Sequence, residues 1–563
     1  METLDWLVIG IFFLALIGII VWVVKQKQND SADYFLGGRD ATWLAIGASI
    51  FASNIGSEHL IGLAGAGASS GMAMAHWEIQ GWMILILGWV FVPFYSRSMV
   101  FTMPEFLERR YNPQSRTILS VISLISYVLT KVAVTVYAGG LVFQQVFGIK
   151  ELWGIDFFWI AAIGLVILTA LYTIFGGMKS VLYTSILQTP ILLLGSLIIL
   201  VLGFKELGGW DEMMRICGAV TVNDYGNTMT ELIRSNNDPN FPWLGALIGS
   251  AIIGFWYWCT DQFIVQRVLS GKNEKEARRG TIFGAYLKLL PVFLFLIPGM
   301  IAFALHQKYL GTGGEGFLPM LANGNANADA AFPTLVAKLL PAGVKGLVVC
   351  GILAALMSSL ASLFNSSAML FTIDFYKRFK PNTSEKKLVG IGQMATVAIV
   401  ILGILWIPIM RSVGDVLYTY LQDVQSVLAP GIAAAFLLGI CWKRTSAQGG
   451  MWGLIAGMII GLTRLGAKVY YSNVGDVSSS TFKYLFYDMN WLFFCGWMFL
   501  FCIVVVIAVS MFTAPSAEKI QGLVFGTSTP EQKAATRASW NKWDIIHTLI
   551  ILGITAAFYW YFW

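Results

Sequence analysis

The chain has 563 residues, of which 57% are apolar and only 12% are charged, and its mean hydropathy is +0.70. Soluble domains are about 45–50% apolar and about 25% charged, so this excess excludes a series of aqueous domains and predicts a polytopic membrane protein. The net charge of +6 comes without a basic patch interleaved with aromatic residues, which argues against a nucleic-acid partner. All six cysteines except Cys217 lie in apolar segments, so no disulfide framework is predicted, and four histidines are too few for haem–copper chemistry.

The first apolar stretch, residues 4–24, is long enough to cross a bilayer and is followed by Lys25 rather than by a small-residue cleavage motif. This pattern is typical of a permanent membrane helix and not of a cleaved signal. Apolar windows of about 20 residues recur along the chain and predict an all-α protein with about fourteen membrane-spanning helices. The predicted spans are 4–24, 42–68, 72–95, 118–147, 157–176, 181–203, 243–269, 281–306, 344–376, 388–410, 415–441, 450–465, 491–512 and 543–563.

Most of the 37 Lys and Arg residues fall in alternate connections between these spans. Because basic residues concentrate in cytoplasmic loops, this alternation places the first connection in the cytoplasm and both termini outside it. The two long connections, 205–242 and 306–341, are then extracytoplasmic. We expect both to be solvated loops with short helical pieces.

A polar cluster interrupts the second predicted span, where Ser53, Asn54, Gly56, Glu58 and His59 follow one another closely. Gly, Ser and Asn weaken a helix, and broken backbone at membrane depth is tolerated only where it is buried in protein or lines a cavity. The ends of such half-helices offer carbonyls to cations and N–H groups to solutes. Close packing of helices through small residues remains an alternative explanation.

The seventh predicted span has a matching irregularity over residues 254–262. It lies five spans after the second span, which carries the first interruption. This spacing is what two five-helix inverted repeats would produce, with a binding site at their interface, although the two halves share no clear sequence identity. The predicted division is 1–41 (first helix and cytoplasmic loop), 42–204 (first repeat), 205–242 (extracytoplasmic loop), 243–442 (second repeat, including the loop 306–341) and 443–563 (peripheral helices).

The ninth span carries a stripe of small polar residues that includes Ser358 and Ser359. Their hydroxyls, the Ala355 carbonyl one turn earlier and the carbonyls of the break at 52–55 form a set of neutral oxygens. Such a set suits a monovalent ion, since Ca²⁺ and Mg²⁺ sites normally use carboxylates. Close packing of helices explains most stripes of this kind.

Ionisable residues inside predicted spans are functional candidates. Glu78 and Lys288, with amides and aromatic rings, are the groups that a polyol pocket requires, because sugar hydroxyls both donate and accept and sugar C–H faces stack on rings. The alternative is a buried Glu–Lys pair that only holds the bundle together. Lys131, in the fourth span, has no partner that the sequence identifies. The other pocket candidates are Asn54, Gln422, Tyr257 and Trp258.

Several longer motifs resemble the sodium/glucose cotransporter branch of the sodium/solute symporter family. They occur in the family's order and on the same spans. The resemblance implies a LeuT-type core of five plus five helices in inverted repeat, extra flanking helices and transport by alternating access. The motifs are Ala52-Ser53-Asn54-Ile55-Gly56-Ser57, Trp256-Tyr257-Trp258-Cys259-Thr260-Asp261-Gln262, Val265-Gln266-Arg267, Tyr286-Leu287-Lys288-Leu289 and Met357-Ser358-Ser359-Leu360.

The resemblance also implies a role for individual residues. Tyr257 corresponds to the inner gate, with Trp258 beside it, and the other gate residues are Leu63, Trp77 and Tyr418. The implied sodium ligands are Ala52, Ile55, Ala355, Ser358 and Ser359. The implied sugar contacts are Asn54, His59, Glu78, Lys288 and Gln422.

Five positions depart from the family's patterns. Gly81 and Gly254 replace polar sugar contacts, which predicts fewer hydrogen bonds there. Ser185 replaces an Asp and Ala361 replaces a hydroxyl used where a second sodium site exists, which predicts one sodium per sugar. Thr419 replaces an Asp of the animal members, with no consequence that we can derive.

We therefore expect a sodium symporter that imports a neutral hexose, glucose or galactose, across a bacterial inner membrane. Myo-inositol, sialic acid, or an amino or carboxylic acid are alternative substrates, although Glu78 disfavours an anion. A sugar sensor or channel would share the pocket without needing the sodium site. An enzyme is not expected, since no nucleophile–base pair or metal-binding constellation stands out in the sequence.

Overall fold

A computed structural model describes residues 1–26, 30–56, 58–321, 324–411, 417–474 and 480–563. Over these ranges the protein is almost entirely helical, with one short antiparallel hairpin in which β1 (Glu151–Leu152) pairs with β2 (Ile155–Asp156). The helices are α1 Thr3–Lys25, α2 Ser31–Leu36, α3 Trp43–Asn54, α4 Ala64–Ser70, α5 Ala75–Glu78, α6 Gly81–Ile86, α7 Val92–Ser98, α8 Met103–Arg110, α9 Pro113–Ser126, α10 Ala133–Phe147, α11 Phe157–Leu207, α12 Trp210–Gly218, α13 Trp243–Gly254, α14 Gln262–Leu269, α15 Glu274–Lys288, α16 Ile297–Gly311, α17 Ala331–Leu339, α18 Val344–Met369, α19 Lys377–Phe379, α20 Glu385–Arg411, α21 Leu417–Cys441, α22 Ala447–Val474, α23 Thr481–Lys483, α24 Trp491–Phe512, α25 Pro530–Ala538 and α26 Lys542–Tyr561.

Wider π-helical turns connect several of these helices end to end. Because such turns release backbone groups from the regular ladder, they often occur at functional sites. The π-helical segments are Glu58–Leu63, Leu87–Phe91, Tyr127–Val132, Phe255–Thr260, Val292–Leu296, Leu370–Tyr376 and Tyr484–Asp488.

Eleven continuous helical stretches in the described ranges are long and apolar enough to cross a membrane. The difference from the predicted fourteen spans has three causes. The second predicted span is broken, so that α3 (Trp43–Asn54) counts only as a shorter apolar helix. The fourth is helical throughout, from α9 through Tyr127–Val132 to α10, but several of its side chains lie outside the described residues, so only Val134–Gln144 is counted. The fifth and sixth predicted spans are joined in the single helix α11.

The chain folds back within α11 at Gly177, whose φ of 52° and ψ of −146° are not helical. Tyr172, before the bend, donates a hydrogen bond to the Met357 carbonyl of α18 at 2.9 Å, and Ser185, after it, lies 3.4 Å from Ser358. In a straight helix Tyr172 and Ser185 would be about 20 Å apart along the axis. Since both contact neighbouring residues of α18, the two halves of α11 run side by side as a hairpin.

Helix α18 runs through the centre of the bundle, because 94% of the residues in its apolar window are buried, whereas α1 and α26 have only 22% buried and lie at the periphery. Its small side chains let neighbouring backbones approach closely. The two halves of α11, α3 and α1 pack around it. The division into two inverted repeats remains a prediction.

Both termini lie at the same end of the bundle as the two long connections. Asp5 of α1 accepts hydrogen bonds from the backbone N–H groups of Gly343 and Gly346, at 2.7 and 2.8 Å, where α18 begins. The Phe562 carbonyl accepts a hydrogen bond of 2.9 Å from the N–H of Leu232, in the connection 205–242. An even number of membrane crossings is consistent with this placement.

Candidate functional site

The site is built around the break after α3. Helix α3 ends at Asn54, and Ile55 has extended backbone angles, φ −78° and ψ 108°. Ser57 lies outside the described residues. In the part of the chain that the structure describes, no hydrogen bond reaches the carbonyl oxygens of Ala52 and Ile55. A buried carbonyl without a donor is costly in a membrane, so these oxygens are suited to a cation.

The serine stripe of α18 packs directly against this break. Ser359 donates a hydrogen bond from Oγ to the Ser53 carbonyl at 3.1 Å, and the hydroxyls of Ser53 and Ser362 share a hydrogen bond of 2.6 Å. Gly56 lies beside Ser359, because a Cβ built on Gly56 would be 3.0 Å from Ser359 Oγ. The predicted sodium ligands of α3 and α18 therefore lie in neighbouring segments.

The remaining predicted ligands lie on the same side of α18. Ser358 Oγ is 3.4 Å from Ser185 Oγ of α11, which in turn donates to the Val181 carbonyl at 2.6 Å. Ala355 lies one turn before Ser358 and is buried. Ser185, where the family pattern has an Asp, is thus adjacent to the candidate cation site. The assignment of Ala52, Ile55, Ala355, Ser358 and Ser359 as ligands remains a prediction.

A charged cluster centres on Glu78, at the end of α5. Lys288 Nζ lies 2.6 Å and His59 Nε2 lies 3.2 Å from the same carboxylate oxygen, Glu78 Oε2. Lys288 also donates to Asn54 Oδ1 at 3.2 Å. All four side chains are buried, with at most 6% of their surface exposed. Ion pairs this deep are stable only when both charges are hydrogen-bonded, which this arrangement achieves.

The break in the seventh predicted span faces this cluster. Asn54 Nδ2 donates to the Tyr257 hydroxyl at 3.1 Å. The rings of Tyr257 and Trp258 meet edge to face at 4.9 Å, and Lys288 Nζ lies 5.4 Å from the centre of the Trp258 ring. Asn54 therefore bridges the charged cluster and the aromatic segment Phe255–Thr260.

These groups line a cavity of about 60 Å³, well below the range of about 300–1,000 Å³ usual for small-molecule pockets, so a solute as large as a hexose would fit only after the lining residues move apart. Three buried polar atoms of its lining residues have no hydrogen-bond partner among the described residues, namely His59 Nδ1, Trp77 Nε1 and Gln422 Oε1. Because buried polar atoms are normally satisfied, these atoms point to a polar solute or water in the cavity. Every predicted substrate contact lines the cavity: Asn54, His59, Glu78, Tyr257, Trp258, Lys288 and Gln422.

Sequence reasoning missed some lining residues. Gln80 lines the cavity beside Gly254, since a Cβ on Gly254 would be 2.5 Å from Gln80 Oε1. Its amide adds a polar group where fewer hydrogen bonds were expected, and its position two residues after Glu78 was the available signal. A Cβ on Gly81 would instead be 2.8 Å from the Ala285 carbonyl, so Gly81 serves the packing of α6 on α15.

Only some of the predicted gate residues with described side chains line the cavity. Trp77 lines the cavity, and its ring stacks on Trp491 at 5.5 Å. Leu63 is fully buried and does not belong to the cavity lining. The side chains of Tyr418 and Thr419 lie outside the description. The gate roles of Leu63, Trp77, Tyr418 and Tyr257 remain predictions.

Broken helices in a polytopic bundle, with free carbonyls beside a buried polar cavity, define a secondary transporter. Comparison with known proteins agrees, because residues 34–457 match the sodium:solute symporter family. The chain belongs to this family, which confirms the resemblance seen in the sequence motifs.

Named relatives cover most of the chain. It is 38% identical to the sodium/myo-inositol cotransporter 2 of Mus musculus over 542 residues, which is 94% of this chain and 80% of that protein. It is also 38% identical to the sodium/glucose cotransporter 1 of Ovis aries over 533 residues, 91% of this chain and 79% of that protein. The protein is thus a multi-pass membrane sodium:solute symporter, and its relatives are transporters rather than enzymes.

Solved structures agree on the fold. A sodium-coupled sialic acid symporter in a substrate-bound outward-open state superposes with a TM-score of 0.73 at 22% identity, covering 92% of this chain and 99% of that one. MhsT in complex with L-phenylalanine superposes with a TM-score of 0.50 at 14% identity, covering 84% of this chain and 99% of that one. The predicted all-α LeuT-type fold is confirmed.

Proposed function

We propose that this symporter imports a neutral polyol, glucose or galactose, together with sodium. The observation that carries the proposal is the cavity itself, in which Lys288 neutralises the Glu78 carboxylate, while polar atoms of His59, Trp77 and Gln422 have no hydrogen-bond partner within the described ranges. Sugar hydroxyls both donate and accept, so they satisfy such a mixed set of atoms. The Tyr257 and Trp258 rings supply faces for the C–H surface of a sugar.

An anionic solute is a poorer match to this cavity. It would lie beside the Glu78 carboxylate, whose charge is balanced by Lys288. The other lysine of the described lining, Lys131, is paired with Asp261, so neither ammonium is available to an anion. Myo-inositol is the second candidate. It is also a neutral polyol, and a relative at 38% identity is named for it.

Sodium would bind between the break after α3 and the serines of α18. Among the described residues no group donates to the carbonyls of Ala52 and Ile55, and the Ser359 hydroxyl reaches the same break by donating to the Ser53 carbonyl. Ser359 also lines the solute cavity, so an ion held by Ser359 would order the break that carries Asn54. Coupling of this kind is reciprocal: sodium tightens solute binding as much as solute tightens sodium binding.

We propose one sodium per solute, because Ser185 supplies only a hydroxyl beside the candidate site and Ala361 supplies no oxygen from its side chain. Sodium activation of uptake should then have a Hill coefficient of about one. A coefficient near two would contradict this stoichiometry.

We propose a bacterial inner membrane as the location, with both termini extracytoplasmic. The concentration of Lys and Arg in alternate connections supports this orientation. The meeting of both termini with the two long connections at one end of the bundle also supports it. The sensor or channel alternative shares the cavity but has no need of a cation site between α3 and α18.

Equilibrium binding tests the substrate class. Trp77 and Trp258, two of the chain's 21 tryptophans, line the cavity, so occupancy in detergent-solubilised protein is measured as the part of the emission change that Trp77→Phe removes. We expect glucose, galactose or myo-inositol to change the emission in sodium, and to bind about tenfold more weakly in choline. Sialic acid and amino acids should leave the emission unchanged. Tighter binding of an anionic solute than of any polyol would exclude the proposed substrate class.

A further inference from the structure

Lys131 finds a partner that the sequence did not identify. It lies in the π-helical segment Tyr127–Val132, and its Nζ is 2.6 Å from Oδ2 of Asp261, which belongs to the break in the seventh predicted span. Lys131 is 8% exposed and Asp261 3% exposed. The ion pair is therefore buried at membrane depth, where an ionisable pair is expensive and is normally retained for function.

Asp261 holds the break of the seventh span in shape. Its backbone is extended, with φ −77° and ψ 128°, and its carboxylate caps α14 by accepting from the Phe263 N–H at 3.3 Å. The Tyr127 hydroxyl donates to Asp261 Oδ1 and accepts from the Phe263 N–H at 3.0 Å. Thus Tyr127 and Lys131, one turn apart on one segment, hold the junction between Phe255–Thr260 and α14 from one side.

The Lys131 ammonium also faces the gate ring directly. Its Nζ lies 4.7 Å from the ring centres of both Tyr257 and Phe263, and 5.4 Å from that of Trp256. A desolvated ammonium held over aromatic faces is attracted to them. Lys131 and Tyr257 both line the solute cavity. One side chain therefore contacts the gate ring, the break behind it and the space that the solute would occupy.

We propose that the Lys131–Asp261 pair is a latch that holds Tyr257 in its closed position, with Lys131 as a positioning residue for the gate. The proposal rests on the proposed function, in which Tyr257 closes the path of the solute. Movement of Tyr257 away from the cavity separates its ring from the ammonium, so opening requires the latch to shift. A buried ion pair adds little net stability, but removing one partner leaves an unpaired buried charge and is costly. Such a pair is therefore suited to hold Tyr257 in its closed rather than its open position.

Three variants test the latch in proteoliposomes: Lys131→Met, Lys131→Arg and Lys131→Met with Asp261→Asn. In Lys131→Met we expect efflux of sugar without sodium to rise about tenfold, because the ring of Tyr257 loses the ammonium that holds it. Lys131→Arg should keep efflux low, because it retains both the charge and the ring contact. The double variant should recover thermal stability, since no charge is left unpaired, and should still leak.

Lys468→Met is the matched control, because Lys468 pairs with Asp423 between α22 and α21 and neither residue belongs to the cavity lining. It should not raise sodium-free efflux. The latch is overturned if Lys131→Met leaves efflux unchanged, or if the double variant restores stability and tight closure together, which would make the pair merely structural.

Hydrogen–deuterium exchange keeps this test separate from that of the proposed function. Amides of the segment 255–263 should exchange about tenfold faster in Lys131→Met than in the wild type, with no solute present. Failure of the wild type to bind any polyol would refute the substrate assignment and leave this exchange measurement valid. Unchanged exchange in the segment would overturn the latch whatever the solute proves to be.

Discussion

At the residue scale, one carboxylate oxygen, Glu78 Oε2, is the common partner of Lys288 and His59. The sequence predicted that Glu78 and Lys288 belong to one pocket, because intramembrane charges need partners. It did not predict that Asn54 would link Lys288 to Tyr257, since that requires the break after α3 to face the seventh span. Nor could it pair Lys131 with Asp261, because 130 residues separate them and nothing local marks the contact.

Neutralising Glu78 tests whether the cluster binds solute or only holds the bundle together. Glu78→Gln leaves Lys288 buried without its carboxylate, a change that costs about 3–5 kcal/mol, so thermal unfolding should shift to lower temperature. Glu78→Gln combined with Lys288→Met should recover most of the Tm and remain unable to bind sugar. Recovery of sugar binding in the double variant would contradict a solute role for the pair.

Asp329, which lies outside the membrane-spanning segments, makes the stability of the folded protein depend on pH. It lies in the short helix Ala328–Ala330 against α4, where a Cβ on Gly65 would be 2.5 Å from its carboxylate. Burial raises the pKa of Asp329 from 3.8 to about 6. The folded protein therefore binds more protons than the unfolded chain between these values, so the contribution of Asp329 to stability is lost as the pH rises from about 4 to about 6.

Thermal unfolding across this pH range checks the effect. Asp329→Asn should be more stable than the wild type at neutral pH, and the difference should shrink as the pH falls towards about 4. Asp224→Asn, at an exposed position of the connection 205–242, is the control and should follow the wild type. A difference that grows on acidification would contradict the assignment.

At the scale of elements, the breaks were predictable and their shapes were not. The run from Ser53 to His59 predicted an interruption where α3 does end, because Ser, Asn and Gly weaken a helix. The second irregularity became a π-helical segment followed by an extended Asp261. Composition does not distinguish a π-helical break from other kinds of interruption. The extended backbone of Asp261 is held by Tyr127 and Lys131, which belong to another span.

The hairpin in α11 depends on one glycine. Gly177 has a positive φ, and a Cβ there would be 2.4 Å from the Tyr34 carbonyl. Gly177→Ala should therefore strongly reduce the yield of folded protein. Gly164→Ala, in the same helix with open space around the Cα, should be neutral or stabilise by up to about 1 kcal/mol. Yield and Tm of the two variants provide the measurement, and equal behaviour would contradict a sharp bend at Gly177.

At the scale of the molecule, hydropathy was sufficient to predict a helical membrane protein, because about 20 apolar residues are needed for each crossing. The two spans predicted on either side of Gly177 run side by side in the structure, joined within α11 by a non-helical bend at that glycine. The central place of α18 was not predictable from apolarity alone. The serines of α18 face other helices rather than lipid, and this burial is visible only in the assembled bundle.

The central claim is that sodium held between α3 and α18 drives polyol import. The most direct test is uptake of labelled glucose, galactose and myo-inositol into proteoliposomes under an inward sodium gradient, compared with choline. Wild-type protein should accumulate one of these polyols above its external concentration only in sodium.

Ser359→Ala should lower the initial rate of sodium-driven uptake by about tenfold or more, equivalent to about 1.4 kcal/mol. Ser367→Ala, two turns further along α18 and equally buried, should not lower it. Equal accumulation in choline, or unaltered sodium dependence in Ser359→Ala, would contradict the claim.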